Sequence, residues 1–192
     1  MRTLMGFERA IVAISWVGWL VYWIAAARRT ALTRRMESLL TGASYRVPLL
    51  VGICLLVFSG RPLLGFDLRL LPQTSLVAGI GAALTMAGVC FAVWARFHLG
   101  KYWSGRITLK EDHRLVQTGP YAWVRHPIYS GILLALLGTT LTVGTLLACV
   151  GFAMIFLSFW RKLTIEEIWL RSHLGAEYEV YQKRVKALIP HP

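Results

Sequence analysis

Apolar residues fill four stretches of the chain, 11–27, 47–58, 75–94 and 128–160, and the segments between them carry most of the arginine and lysine. Residues 11–27 predict a first span, ended by Arg28 and Arg29. A second begins at Val47 and runs to about Leu64, followed by a short loop at Arg61-Pro62 and 65–72. The third covers 75–94, where Gly79, Ala83 and Ala87 lie four apart, the small-residue spacing that lets helices approach closely in lipid. The last run has 33 residues. At ~1.5 Å per residue one straight helix would reach ~50 Å, well beyond a ~30 Å bilayer core, so a hairpin turning within 139–144 is expected. Ser38 to Ser44 predicts a short surface turn. In the tail, 161–192, residues Leu174, Tyr178, Tyr181, Val185 and Leu188 recur at helical spacing, with Glu179 and Lys183 as a favourable i,i+4 pair.

The pattern predicts an all-α integral membrane protein of about five transmembrane helices, the last two a helical hairpin, with an amphipathic C-terminal helix on the cytosolic side. It reads as a single membrane domain, with the first three spans in 1–94 and a functional core in 95–192. Composition agrees: 56% of residues are hydrophobic and 16% charged. The net charge of +12 would raise nucleic acid as a partner, but 17 of the 21 Lys and Arg fall in 28–46, 96–125 and 161–192. With five spans those segments share one face. The positive-inside rule then puts them in the cytosol and the N-terminus outside, so the basic charge is explained by topology and no nucleic acid is expected. The first apolar run is expected to be a retained anchor. Its Trp16, Trp19, Tyr22 and Trp23 suit packing or an interfacial belt. Cys54, Cys90 and Cys149 lie within apolar runs and read as small packing residues. No CxxC, HExxH or carboxylate cluster points to a metal.

Candidate chemistry concentrates in 119–131, which joins a polar stretch to the last apolar run. Gly119-Pro120 is turn chemistry, and Pro127 suits the first position of a helix, where its missing N–H costs nothing. The free N–H groups of such a helix, with Arg125 and His126 just outside, would make an anion site at the membrane surface.

Ordered blocks then resemble a known family. They are His113-Arg-Leu-Val116, Gly119-Pro-Tyr121, Arg125-His-Pro-Ile-Tyr129 and Gly131, then Glu166-Glu167, Leu174-Gly175, Tyr178, Tyr181, Arg184-Val185 and Leu188-Ile-Pro190. Over roughly 95–190 the chain resembles the isoprenylcysteine carboxyl methyltransferases. The wider group includes phospholipid N-methyltransferases and bacterial thiol methyltransferases. The resemblance implies an S-adenosylmethionine site at the cytosolic ends of the last spans, without a metal. It assigns the adenosyl part to His113, Arg114, Leu115, Val116 and Tyr121. His126, Pro127, Ile128 and Tyr129 line the cofactor, Glu166 contacts it from the other side, and Arg106 contacts it near the entrance. Lys162 falls where the family carries a basic substrate-contacting residue. The stretch 99–105 has Tyr102 where a bacterial subgroup often has Asn.

The residue types fit that chemistry. A carboxylate such as Glu166 suits the cofactor's ammonium, and Arg125, His126 and the helix N-terminus suit its carboxylate. For a carboxylate acceptor, Arg125 or Arg184 would hold the nucleophilic oxygens. For a thiol or amine, Glu167 or His126 would take the proton. Placement at the bilayer edge implies a lipophilic or prenylated acceptor reached laterally from the membrane. The expected activity is carboxyl O-methyl transfer. Thiol or phospholipid N-methylation is the alternative, followed by an NADPH-dependent sterol-type reductase or a non-catalytic scaffold.

Overall fold

The computed structural model describes residues 2–27, 33–60, 68–103, 107–110 and 115–190. Helix α1 (Arg2–Ala27) and helix α2 (Leu39–Phe58) are followed by α3 (Ser75–Leu99), α4 (Pro127–Val143), α5 (Leu146–Leu174) and the short α6 (Ala176–Arg184). Strands β1 (Thr33–Met36) and β2 (Thr108–Lys110) pair antiparallel and tie the α1–α2 connection to the polar segment before α4. That pair is absent from the hydropathy pattern, since two strands this short carry no usable alternation.

Among the described residues four helices, α1, α2, α3 and α5, are long and apolar enough to cross a membrane, and α4 is a shorter apolar helix of 17 residues. The chain is a multi-pass membrane protein. The expected five spans thus divide into four full-length helices and one short one. Helix α4 tolerates its length because it is enclosed by neighbours, packing along α3 and also meeting α1 and α5. Its end is a left-handed Gly144, whose Cβ, if present, would lie 2.9 Å from Gln73 Nε2. Thr145 then caps α5 by accepting from Ala148 N.

Several boundaries differ from the sequence expectation, among them the start of α1 at Arg2 and the end of α3 at Leu99. Helix α2 starts at Leu39, with Ser38 as its N-cap accepting from Thr41 N, where a surface turn was expected. It ends at Phe58, while the expected continuation to Leu64 and the loop at Arg61-Pro62 lie outside the described residues. Helix α5 continues 14 residues past Trp160, so the front of the expected tail helix belongs to it. At 29 residues it is ~43 Å long and overshoots a ~30 Å hydrocarbon core. Its last turns exceed the length a bilayer core requires, and Glu166 and Glu167 lie in that end of the helix.

The close helix contact also sits on another face than expected. Gly81, Thr85, Gly88 and Ala92 of α3 face Gly131, Ala135, Gly138 and Thr142 of α4. A Cβ on Gly88 would fall 2.4 Å from Ala135 N, and one on Gly138 2.4 Å from Gly81 O. Thr85 Oγ1 donates into this seam, 2.9 Å from Gly81 O and 3.1 Å from Ala135 O. Gly79 meets nothing within 4 Å, and Ala83 and Ala87 are exposed, so that stripe faces away from the bundle. A second backbone contact joins α2 to α5, where Gly52 and Gly151 each meet the other's carbonyl.

The aromatics of α1 do pack inward. Trp16 Nε1 donates to Thr139 Oγ1 at 2.9 Å, and Trp23 meets Trp103 edge-on. All three cysteines are free thiols, with Cys54 and Cys90 on the outer surface and so not buried packing residues.

Candidate functional site

The site forms where α4 begins. Thr118 leads into a 3-10 turn, Gly119–Ala122, with Gly119 at φ +58 and packed so tightly on His98 that a Cβ would approach its ring to 2.7 Å. Pro127 then opens α4 at its first turn. By helix geometry the N–H groups of Ile128 and Tyr129 have no intrahelical acceptor. The first helical bond runs from Ser130 N to His126 O, at 3.0 Å.

Arg125 does not point to open space. Its Nε and Nη2 both donate to Glu167 Oε1, at 2.8 and 2.5 Å. Its Nη1 donates to the carbonyls of Gln182 and Val185. Glu167 Oε1 also lies 3.2 Å from His126 Nε2, and Glu167 Oε2 accepts from Gln182 Nε2 at 2.9 Å. Because an ionised carboxylate only accepts, Nε2 is the protonated nitrogen of His126 in this contact. Glu167 is thus a hub joining the start of α4 to α5 and α6. The free anion corner expected from Arg125 and His126 is filled by this carboxylate from the chain itself.

One turn along, Tyr129 Oη donates to Glu166 Oε2 at 2.8 Å. The Tyr129 ring stacks on His126, 5.5 Å between centroids, and leans on Phe159. Lys162, on the same face of α5 as Glu166, places Nζ 5.5 Å from the centroids of both Tyr129 and Tyr45. Val116, Tyr121 and Ile128 form an apolar wall with Ala95, Leu99 and Trp103. Burial, reinforced by the Glu166 charge, pushes the Tyr121 phenol up, so it stays protonated.

The tail seals one flank. Tyr178, Tyr181 and Val185 pack with Leu115, Leu170 and Leu174. Tyr181 Oη donates to Tyr121 O at 2.6 Å. Beyond Arg184 the chain is extended and pairs with the residues before α4. Arg125 N donates to Lys186 O at 2.8 Å, His126 N to Ala187 O at 3.0 Å, and Ser130 Oγ to Leu188 O at 2.6 Å. The tail is therefore a short helix plus a strap, and no longer the single amphipathic helix its spacing predicted.

Of the residues singled out from sequence, Arg125, His126, Pro127, Ile128, Tyr129, Lys162, Glu166 and Glu167 come together here, with Val116 and Tyr121 alongside. Leu115 sits one layer away, under the tail. Arg184 is exposed and donates to Gln117 Oε1 at 2.7 Å, apart from the cluster. Arg106, His113 and Arg114 lie outside the described residues. Sequence reasoning passed over Gln182 and the group Glu37, Tyr45 and Arg46 at the start of α2. One signal was present: Glu37 is the single carboxylate in the otherwise basic stretch 28–46.

The donor set suits an amino-acid-like cofactor. Glu166 Oε2 is bonded to Tyr129 Oη at the start of α4, where the N–H groups of Ile128 and Tyr129 have no intrahelical acceptor, and an apolar and aromatic wall lies alongside. Ammonium, carboxylate and ring each find a matching group. Among the described residues no group of three or more His, Cys, Asp or Glu is placed to hold a metal ion.

Comparison with known proteins matches a segment that includes the start of α4 and most of α5. A family profile described as the isoprenylcysteine carboxyl methyltransferase (ICMT) family matches residues 81–172. The protein-S-isoprenylcysteine O-methyltransferase of Saccharomyces cerevisiae is 30% identical over 194 residues, covering 96% of this chain and 79% of that protein. That of Schizosaccharomyces pombe is 40% identical over 81 residues, covering 42% of this chain and 34% of its own length. The Homo sapiens protein of the same name is 32% identical over 123 residues, or 62% of this chain and 43% of the relative. The matched segment thus spans less than half the length of two of these three relatives. The chain belongs to the isoprenylcysteine carboxyl methyltransferase family.

Proposed function

We propose that this chain is an S-adenosylmethionine-dependent carboxyl O-methyltransferase acting on a lipophilic, prenylated cysteine acid at the cytosolic face of its membrane. The observation that carries the reading is the Tyr129–Glu166 bond, which joins the N-terminus of α4 to α5 beside Lys162, where α5 leaves the bilayer. Family membership supports methyl transfer over the reductase and scaffold readings. The concentration of basic residues on the side of the cluster supports the cytosolic orientation.

When bound, S-adenosylmethionine supplies an electrophilic methyl group on a sulfonium, open to in-line displacement by an acceptor oxygen. In this reading Glu166 takes the cofactor's ammonium, and the N–H groups of Ile128 and Tyr129 take its carboxylate. Val116 and Tyr121 hold the adenosyl part, with Arg106, His113 and Arg114 assigned to it by the family resemblance, while Leu115 packs under the tail. Lys162 holds the acceptor carboxylate. A carboxylate needs no base, so Glu167 and Arg125 act on the reaction through position: they fix His126, Tyr129 and the tail strap around the reactants. The strap and the aromatic wall exclude water. The acceptor's chain lies among the spans and its head enters sideways. Arg184, out on α6, contributes by anchoring the tail.

Calorimetry on the detergent-solubilised protein separates the cofactor classes. S-adenosylhomocysteine is expected to bind and NADPH is not. Glu166→Ala removes a charge-assisted contact of about 1.5–3 kcal/mol and weakens binding about tenfold or more. Affinity unchanged in a folded Glu166→Ala protein removes Glu166 from the site, and NADPH binding in place of S-adenosylhomocysteine removes the methyltransferase reading.

A further inference from the structure

The last turn of α3 carries an arginine that takes no part in the cluster around Glu166 and Glu167. Arg96 is buried at 2% exposure, and among the described residues no carboxylate pairs with it. Its charge is met by helix ends instead. Nη2 donates at 2.8 Å to the carbonyl of Ala26 in the last turn of α1. Nη1 donates at 2.8 Å to the carbonyl of Gly100, the C-cap of α3. Both acceptors stand at the negative end of a helix dipole, where a cation is favoured. Nε is buried without an acceptor. The guanidinium carbon lies 4.5 Å from the centre of the Trp103 ring.

This arginine holds Trp103 in two ways. The ring attracts the guanidinium through its quadrupole, and the Trp103 N–H donates at 3.4 Å to Gly100 O, the carbonyl that Arg96 also bonds. Gly100, at φ +58, is where the chain leaves α3 and enters the 3-10 turn that delivers Trp103. Trp23 of α1 meets the same ring edge-on, 5.4 Å between centroids. Trp103 is half-buried and stands in the wall that also holds Val116, Tyr121 and Ile128. We propose that Arg96 is a positioning residue for Trp103, and that its bond to Ala26 makes α1 part of the adenosyl side of the cofactor pocket. The family profile begins at residue 81, so α1 lies outside the segment it matches. A lysine at position 96 keeps the charge, but one ammonium cannot bond both carbonyls and lie flat on the ring. This inference rests on the assignment of Val116 and Tyr121 to the adenosyl part given above.

The test is a double-mutant cycle on S-adenosylhomocysteine affinity, with Arg96→Lys, Trp103→Leu and the two combined measured by calorimetry in detergent. Thermal unfolding reports that each variant is folded. In the parent background Arg96→Lys is expected to weaken binding about fivefold to tenfold, because the wall loses its fixed ring. In the Trp103→Leu background the same change is expected to weaken it less than about twofold, since the ring through which Arg96 acts is gone. Should Arg96→Lys not fold, Trp23→Leu takes its place in the cycle, because it loosens the same ring from α1 and leaves Arg96 intact. Unchanged affinity in the first variant overturns the proposal. Losses that multiply in full in the double variant also overturn it, because the substitution then acts on the fold as a whole. In both cases the cofactor reading stands. A parent that does not bind S-adenosylhomocysteine overturns the cofactor reading and this inference with it.

Discussion

Arg125 and Glu167 meet through two hydrogen bonds onto one carboxylate oxygen, with side chains only 8% and 13% exposed. The remaining donors of Arg125 reach the Gln182 and Val185 carbonyls, so one side chain ties the start of α4 to α5 and to the tail. Removing one partner of a buried pair leaves the other charge without compensation. Glu167→Gln should therefore cost roughly 3 kcal/mol of stability. Thermal unfolding in detergent checks the value, and a loss below about 1 kcal/mol would mean that the pair is worth no more than a surface ion pair.

Arg125→Lys separates charge from shape. One ammonium cannot reach Glu167, Gln182 and Val185 together, so the strap should loosen even though the charge stays. Limited proteolysis should cut faster between α6 and Pro190 in this variant than in the parent. An unchanged rate would show that the strap holds without the guanidinium.

Tyr181 gives the tail a pH signature. Burial is the main cause of a phenol pushed up from 10.0 to about 12. The fold favours the neutral form, so this contribution is complete below about pH 10 and is lost as pH rises through about 12. Tail protection against hydrogen exchange should fall across that window. Tyr181→Phe removes the Oη bond to Tyr121 O, costing about 1 kcal/mol, and should flatten the alkaline slope. A slope unaltered in Tyr181→Phe assigns the transition to another group.

How much was legible in advance depends on the physics behind each element. The long apolar runs of α1, α3 and α5 announced themselves through length, and the Pro127 helix start through turn chemistry. The blocks from His113 to Pro190 were readable because they lie in order along the sequence. Facing was not: Gly79-Ala83-Ala87 and Gly81-Thr85-Gly88 both satisfy small-residue spacing, and only the partner backbone of α4 decides between them. Nor was commitment. Arg125 reads as an available cation in sequence, while its carbonyl partners lie about 60 residues downstream. Tyr45 stayed hidden for the same reason, since Lys162 reaches it only after α2 packs on α5.

The α3–α4 seam offers a paired test of facing. Gly88→Ala forces a Cβ against the Ala135 backbone and should destabilise by about 1–3 kcal/mol. Gly79→Ala meets open space and should be neutral or stabilise by up to about 1 kcal/mol through helix propensity. The reverse order of unfolding temperatures would restore the Gly79 stripe as the packed face.

Methyl transfer to a carboxylate leaves an ester, and the chemistry of the product distinguishes it from the alternatives. The purified protein in lipid, supplied with methyl-labelled S-adenosylmethionine and S-farnesyl-N-acetylcysteine, should yield label that mild alkali releases as methanol. That release should vanish in Glu166→Ala and Lys162→Met. Label that resists alkali, or appears only with a thiol or amine acceptor, would contradict the account.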